Sequence, residues 1–182
     1  GVNRLASLGY AVPGAVIAIG VLIPAAAFDN AAGDWLERVF GWSGGLLLTG
    51  SVAALVYAYL IRFQAIALQT VESGLARITP SMEDAARSLG YTPAQALARV
   101  HLPMMRGSLA TGALLVFVDV MKELPATFVM RPFNFDTLAV QAYNLAADER
   151  LAEASTASLA IVAVGLVPLI AASRRMVRGA EG

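Results

Sequence analysis

Four long apolar runs dominate the sequence. They cover residues 10–28, 39–61, 107–130 and 154–173. Three carry no charged side chain, and the third is apolar as far as Val118, beyond which Asp119, Lys122 and Glu123 interrupt it. Each run is about as long as the roughly 20 residues that a helix needs to cross a bilayer. Because a chain in lipid must satisfy its own backbone hydrogen bonds, we predict an all-α fold, a polytopic membrane bundle of about four transmembrane helices.

The composition points the same way and excludes several kinds of site. Hydrophobic residues make up 58% of the chain and charged residues only 14%, whereas a soluble domain carries about 25% charged residues. A formal net charge of zero gives no reason to expect a nucleic-acid partner. Cysteine is absent and His101 is the single histidine, so no metal centre or catalytic triad is predicted. We expect His101 to lie at the surface.

The arginines are distributed unevenly between the two predicted sides of the membrane. If the opening segment is cytoplasmic, nine arginines lie inside and three lie outside, which follows the positive-inside rule. Segment 79–105, between the second and third runs, is then cytoplasmic. Arg62 is predicted to end the second span and to reach the interface with its long side chain. The inside set is Arg4, Arg62, Arg77, Arg87, Arg99, Arg106, Arg174, Arg175 and Arg178, and the outside set is Arg38, Arg131 and Arg150.

Segment 79–105 begins with a predicted short helix that has a face of small residues. Ser81 followed by Asp84 has the spacing of a capping box, and Gly90 is predicted to end the helix in a left-handed conformation. Apolar residues recur on one face between these ends. They are Met82, Ala85, Ala86 and Leu89. Two interpretations stay open: the face docks into a groove of a partner, or it packs against its own bundle or the lipid surface.

A second helix is predicted to follow at once. Thr92 is a suitable N-cap and Pro93 suits the first helical position. Pro103 is predicted to end this helix before the third run.

The same segment resembles the cytoplasmic loop of the permease subunits of bacterial ABC importers, which work with periplasmic binding proteins. That loop reads Glu-Ala-Ala, three residues, Gly, nine residues, Ile, one residue, Leu-Pro. The matching positions here are Asp84, Ala85, Ala86, Gly90, Val100, Leu102 and Pro103. Asp replaces Glu and Val replaces Ile, and Glu83 offers a longer carboxylate beside the first position.

The resemblance implies a type I (MetI-like) permease fold. Residues 1–182 would form one transmembrane permease domain of the inner membrane, expected to be the C-terminal piece of a longer permease, either single or duplicated. Segment 79–105 would hold the coupling helix, which sits in a cleft of a separate ABC ATPase subunit. The implied coupling residues are Met82, Glu83, Asp84, Ala85, Ala86, Leu89, Gly90, Val100, Leu102 and Pro103.

The resemblance also implies how the work is divided among partners. The chain is not expected to be an enzyme or to bind a cofactor, since it has no phosphate-loop motif, and ATP and Mg²⁺ would be used by the ATPase. The other implied partners are a second permease domain, as a homodimer or a fused half, a periplasmic substrate-binding protein, and the lipid bilayer.

Two further stretches resemble the ferric-iron branch of these permeases. They are MKELPAT at 121–127 and RPFNFDTLA at 131–139. The predicted substrate is therefore ferric iron. Permeases for thiamine, sulfate, molybdate and polyamines share parts of the pattern and remain alternatives.

The charges at the end of the third run are candidates for the translocation path. A charged residue in the membrane costs about 2.5–3.5 kcal/mol on insertion scales. Asp119 and Glu123 are four apart, on one predicted helix face, with Lys122 beside both, and Pro125 is predicted to open the helix. The group is either a gate or a structural ion pair. An ion-coupled secondary transporter using the same charges is an alternative, and a membrane-embedded enzyme is a weaker one.

The predicted outer loops are acidic. Either they dock the binding protein by charge complementarity or they are a solvated face. Their acidic residues include Asp136, Asp148, Glu149 and Glu153.

Overall fold

The structure is a computed structural model that describes residues 12–41 and 45–180. Arg4 and the first two residues of the predicted run 10–28 lie outside these ranges. Within them the chain is helical and contains no strand. The elements are α1 Gly14–Phe40, α2 Val52–Leu75, α3 Pro80–Ser88, α4 Pro93–Ala96, a π-helical turn Leu97–His101, α5 Leu102–Met121, α6 Pro125–Met130, α7 Leu138–Ala147 and α8 Leu151–Ala180.

Within the described ranges, four helical stretches are long and apolar enough to cross a membrane, which confirms the predicted all-α bundle. They are α1, α2, the continuous stretch Pro93–Met121, and Leu151–Ile170 within α8.

The first two spans end at different places from those predicted. α1 does not stop before Asp29 but continues to Phe40, because the Asp29 carboxylate is buried and accepts hydrogen bonds from three backbone N–H groups of the returning chain. Gly41 then ends α1 in a left-handed conformation, with φ 64°. α2 consequently begins only at Val52, capped by the Ser51 hydroxyl, and not at residue 39.

One packing unit, the α1–α2–α6 core, is built from small and branched side chains. The short helix α6 contacts both α1 and α2. Mostly small residues on the facing surfaces allow the helix axes to approach closely. The buried members are Ile17, Ala18, Val21, Ala54, Leu55, Ala58, Ala126 and Met130.

A second packing unit, the α2–α5 hairpin, carries segment 79–105 at one end. Gly112 of α5 faces Thr70 of α2 so closely that a Cβ atom at 112 would lie 2.7 Å from Cγ2 of Thr70. A Cβ atom at Gly74 would lie 3.2 Å from the Met105 side chain. α5 also packs against α8, and α8 against α7.

The helix of the third span begins and ends earlier than predicted: it begins at Pro93 and ends at Met121, whereas the predicted run covers 107–130. Pro103 does not end a helix; the chain stays helical from Pro93 to Met121. A π-helical turn precedes Pro103, and Leu102 N–H bonds back to the Leu97 carbonyl. The wider turn accommodates the proline, which lacks a donor and crowds the preceding turn of a normal helix.

Candidate functional site

The first candidate site is the helical segment 79–105. α3 begins after Thr79, whose side chain makes no capping bond to the backbone. The Ser81 hydroxyl bonds the Thr79 hydroxyl at 2.8 Å, so the predicted Ser81–Asp84 capping box is wrong. Pro80 already occupies the first helical position and needs no N–H partner there.

The turn at Gly90 and the start of the second helix of this segment, α4, are as predicted. Gly90 has φ 78°, in the left-handed region that favours glycine. Thr92 and Gln95 form a capping box: the Thr92 hydroxyl accepts from Gln95 N–H at 3.3 Å, and the Gln95 side chain accepts from Thr92 N–H at 2.9 Å. Pro93 stands at the first helical position of α4.

The predicted apolar face of α3 is divided between two surroundings. Ala86 is buried within the chain, with 4% of its surface exposed. Leu89 is 73% exposed and Met82 38% exposed, and Ala85 is exposed between them. Packing of this face within the chain is therefore seen at Ala86 alone, and docking of the exposed edge into a partner stays a prediction.

A small groove separates α3 from α4 and the π-helical turn. It encloses about 130 Å³. His101 lies here, with its side chain 16% exposed and Nε2 3.8 Å from Oε1 of Glu83, too far for a hydrogen bond. The predicted surface position of His101 is therefore wrong, because the tight turn at Gly90 folds α3 over it. The lining residues are Glu83, Arg87, Tyr91, Pro93, Ala96 and His101.

The remaining motif positions lie where the segment enters α5. Val100 is half-buried in the π-helical turn, and Leu102 and Pro103 are exposed in the first turn of α5. Asp84 is exposed on α3.

The second candidate site is a buried ion pair between α2 and the end of α5. Arg62 Nε lies 2.8 Å from Oε2 of Glu123, and their side chains are 18% and 5% exposed. A second guanidinium nitrogen of Arg62 donates to the Val12 carbonyl at 2.9 Å. The other Glu123 oxygen accepts the Ala126 N–H at 3.1 Å, so Glu123 serves α6 as a cap.

Further polar contacts surround this ion pair. The Thr127 hydroxyl donates to the Glu123 carbonyl at 2.7 Å and is hydrogen-bonded to the Tyr59 hydroxyl. α1 begins against the carboxylate: a Cβ atom at Gly14 would lie 2.6 Å from Oε1 of Glu123. Groups from α1, α2, the α5–α6 connection and α6 thus meet at one charged point.

The structure divides the four predicted path residues among two different ion pairs and the start of a helix. α5 ends at Met121, so Asp119 and Glu123 do not share a helix face as predicted. Lys122 is 64% exposed and pairs with Asp119 at 2.8 Å, while Glu123 turns to Arg62. Pro125 starts α6, as its missing N–H allows. Within 12–41 and 45–180 no group of three or more potential metal ligands of the His, Cys, Asp and Glu types occurs.

Comparison with known proteins places these features in a family. Residues 1–180 match the family model described as binding-protein-dependent transport system inner membrane component. The chain belongs to this family. The match confirms the predicted resemblance, the MetI-like fold and the inner-membrane location.

Named relatives of this inner-membrane component differ in their stated substrates. The chain is 26% identical over 168 residues to the Fe(3+)-transport system permease protein FbpB 2 of Haemophilus influenzae, covering 92% of the chain and 30% of that protein. It is 26% identical over 167 residues to the putative 2-aminoethylphosphonate permease PhnV of Salmonella typhimurium, covering 92% and 57%. The ferric permease FbpB of Actinobacillus pleuropneumoniae is 27% identical over 126 residues, covering 69% and 18%. The chain thus spans less than two thirds of each relative.

Arg62 is the residue of the second candidate site that sequence reasoning misplaced. It lies inside α2, eleven residues after the N-cap Ser51, and its partner is a carboxylate and not the lipid interface. The available signal was the apolar stretch 63–71, which continues the span beyond Arg62. A basic residue flanked on both sides by apolar helix needs a partner at the same depth, and the only acidic residues in the third run are Asp119 and Glu123.

The acidic residues predicted on the outer side are partly paired within the chain. Asp136 forms an ion pair with Arg131, and Glu153 forms one with Arg150. The hydrogen bond from Arg150 to Glu153 raises the pKa of the Arg150 guanidinium. Asp148 and Glu149 are exposed in the turn between α7 and α8.

Proposed function

We propose that this chain is part of the permease of an ABC importer, forming the membrane passage for a substrate delivered by a periplasmic binding protein and driven by a separate ATPase subunit. The observation that carries the proposal is the exposed edge of α3. A short helix, capped by a proline start and a left-handed glycine, presents Met82, Ala85 and Leu89 away from its own bundle.

A protein groove suits this edge better than a lipid surface does. Helices that lie on membranes carry large apolar faces and a polar face rich in lysine and arginine. Helix α3 carries one basic residue, Arg87, and its two acidic residues, Glu83 and Asp84, lie beside the exposed edge. The small side chain of Ala85 permits close approach, and the neighbouring carboxylates would pair with basic residues of the ATPase cleft.

The proposed cycle uses the helical continuity between the docking segment and the third span. ATP binding would close two ATPase subunits and draw together the coupling segments of this permease and a second permease domain, either another copy or a fused half. The spans would then rock from inward-open to outward-open, and hydrolysis would reset them. The unbroken helical stretch Pro93–Met121 supplies a direct mechanical link.

The passage is proposed to run beside the break between α5 and α6. Asp119, Lys122, Glu123 and Pro125 flank the point where a bilayer-length stretch stops being helical. Interrupted helices near the membrane midplane are where transporters place their sites and gates. The same charges would form the ion relay of a secondary transporter, which is the alternative; membership of a binding-protein-dependent family favours the importer.

Ferric iron is the proposed substrate. The segments MKELPAT and RPFNFDTLA resemble the ferric branch, and two named relatives are ferric permeases. A relative named as a 2-aminoethylphosphonate permease matches with equal identity. 2-Aminoethylphosphonate is therefore the competing substrate in the transport test. Purified importer in vesicles, supplied with its binding protein, should accumulate labelled Fe³⁺ on ATP addition. Accumulation of 2-aminoethylphosphonate in place of Fe³⁺ would assign the other substrate.

Docking is tested by substitution at the exposed edge. Leu89→Glu should abolish co-purification of the ATPase subunit while membrane expression stays normal, because the change puts a charge on a surface that docking would bury. Arg87→Ala on the same helix is the matched control, since Arg87 is equally exposed but faces the groove toward Glu83. Retention of the ATPase by Leu89→Glu would reject the docking edge. A secondary transporter would bring down no ATPase with either variant.

A further inference from the structure

The Arg62–Glu123 ion pair lies at the boundary between the two packing units. On α2, the last residue of the α1–α2–α6 core is Ala58, and the contacts with α5 include Thr70 and Gly74. Arg62 stands between these two sets. In the connection between α5 and α6, Glu123 lies between the end of α5 and the buried Ala126. The pair therefore lies where the α5–α6 connection and the middle of α2 meet.

Packing alone does not account for a charge pair here. Every other ion pair among the side chains that the structure describes has at least one well-exposed partner. A buried pair seldom stabilises a protein more than apolar residues of similar volume do, because both charges lose their hydration. Its best-attested use is to fix a register or to switch between arrangements.

Helix α2 runs through both units, whereas on the other side, at the α5–α6 connection, the ion pair takes the place of a continuous helix. Helical bonding stops at Met121, and Pro125 has no N–H to restore it. In its place the Glu123 carboxylate holds the Ala126 N–H. Arg62 fixes that carboxylate and at the same time the Val12 carbonyl, just before α1.

Gly14 brings the start of α1 against the same point. Any Cβ atom at this position would meet Oε1 of Glu123 at 2.6 Å, well inside normal contact distance. The close approach places the first turn of a long helix beside a carboxylate, and a negative charge is favourable near a helix N-terminus.

We propose that Arg62 is a positioning residue that holds Glu123 as the pivot between the α2–α5 hairpin, which carries segment 79–105, and the α1–α2–α6 core. Movement of α5, which continues segment 79–105, reaches α6 and the start of α1 through this pair. The inference rests on the proposed importer function. Neutralising both charges leaves docking and basal ATP hydrolysis intact but disconnects hydrolysis from substrate movement.

The test uses the assembled complex of permease and ATPase in vesicles, with binding protein and substrate. Arg62→Met combined with Glu123→Gln removes both charges, so no unpaired charge is left buried, and Gln keeps an acceptor for Ala126 N–H. The matched control is Glu37→Gln with Arg38→Met, which removes one charge of each sign at exposed positions near the end of α1. ATPase retention, basal hydrolysis and uptake are measured for each.

We expect the pivot variant to retain the ATPase and basal hydrolysis within about twofold of the control, and to lose uptake by about tenfold, the scale of coupling changes within such networks. Uptake equal to the control would overturn the pivot while leaving the importer function standing. Wild-type complex that retains no ATPase and moves no substrate would overturn both.

A second variant covers failure of the double variant to assemble. Arg62→Lys keeps the charge but lacks the guanidinium fork that reaches Glu123 and the Val12 carbonyl together. Assembly with reduced uptake is expected, and assembly with normal uptake would overturn the pivot.

Discussion

The carboxylate of Asp29 lies 2.8 Å from the backbone nitrogen of Leu48, nineteen residues farther along the chain. The N–H groups of Leu47 and Thr49 donate to the same carboxylate. Three consecutive backbone donors form a concave site for an anion, and here a side chain of the same protein fills it. The contact pins the segment that returns from α1 to α2.

Asp29→Ala should release that segment. Three partly buried N–H groups would lose their acceptor, and a fully buried group left unsatisfied costs about 1–3 kcal/mol. The thermal unfolding temperature in detergent should fall, and protease should cut within 45–51 sooner than in the wild type. Asp29→Asn, which keeps one acceptor oxygen, should lie between the two. An alanine variant as resistant as the wild type would show that water replaces the carboxylate there.

Gly112→Ala should loosen the α2–α5 hairpin. The added Cβ atom would lie 2.7 Å from Cγ2 and 2.8 Å from Oγ1 of Thr70, and overpacking of this kind costs about 1–3 kcal/mol. Gly107→Ala in the same helix is the control, because nothing lies within 4 Å of its Cβ position. It should stabilise α5 by about 0.5–1 kcal/mol. Denaturant unfolding of both variants measures the difference, and equal stability would contradict the close contact.

Thr92→Ala should fray the second helix of segment 79–105, while Ser81→Ala should not fray the first. The Thr92 hydroxyl caps a backbone N–H, and loss of such a cap costs about 1 kcal/mol. The Ser81 hydroxyl bonds only to the Thr79 hydroxyl. Hydrogen exchange of amides 92–96 should speed up in the first variant only. Equal exchange in both variants would mean that the two hydroxyls are interchangeable.

Gly90→Pro should disrupt the turn within segment 79–105 more than Gly90→Ala. Alanine meets no neighbour at this position and loses only about 1–2 kcal/mol to the left-handed backbone. Proline fixes φ near −65°, far from the observed 78°, and removes the N–H that bonds the Arg87 carbonyl. Substrate moved per ATP hydrolysed, measured in the assembled importer, should fall in the order wild type, Ala, Pro. Normal coupling in the proline variant would remove the turn from the mechanism.

Local and solvent-driven features were predictable from the sequence, and the partners of the intramembrane charges were not. Apolar length predicts spanning helices because lipid leaves the backbone no other way to satisfy its donors. The structural roles of Gly90 and Thr92 follow from the residues themselves, because glycine tolerates a positive φ and a threonine hydroxyl can cap a helix. Asp29 and Arg62 signal only that a charge needs compensation; whether water or a distant residue provides it depends on the tertiary fold. The span ends predicted before Asp29 and at Arg62 were wrong because these two charges were treated as hydrated, whereas α1 and α2 continue past them.

The length of the helical stretch Pro93–Met121 determines how far one of its ends moves when the stretch tilts at the other end. Its 29 residues make a rod of about 44 Å, so a tilt of about 10° at one end sweeps the other by about 8 Å. A displacement of that size exceeds the radius of a hydrated metal ion. A modest change in the angle of this stretch at segment 79–105 would therefore be geometrically sufficient for the passage proposed above to open or shut, without any helix having to melt.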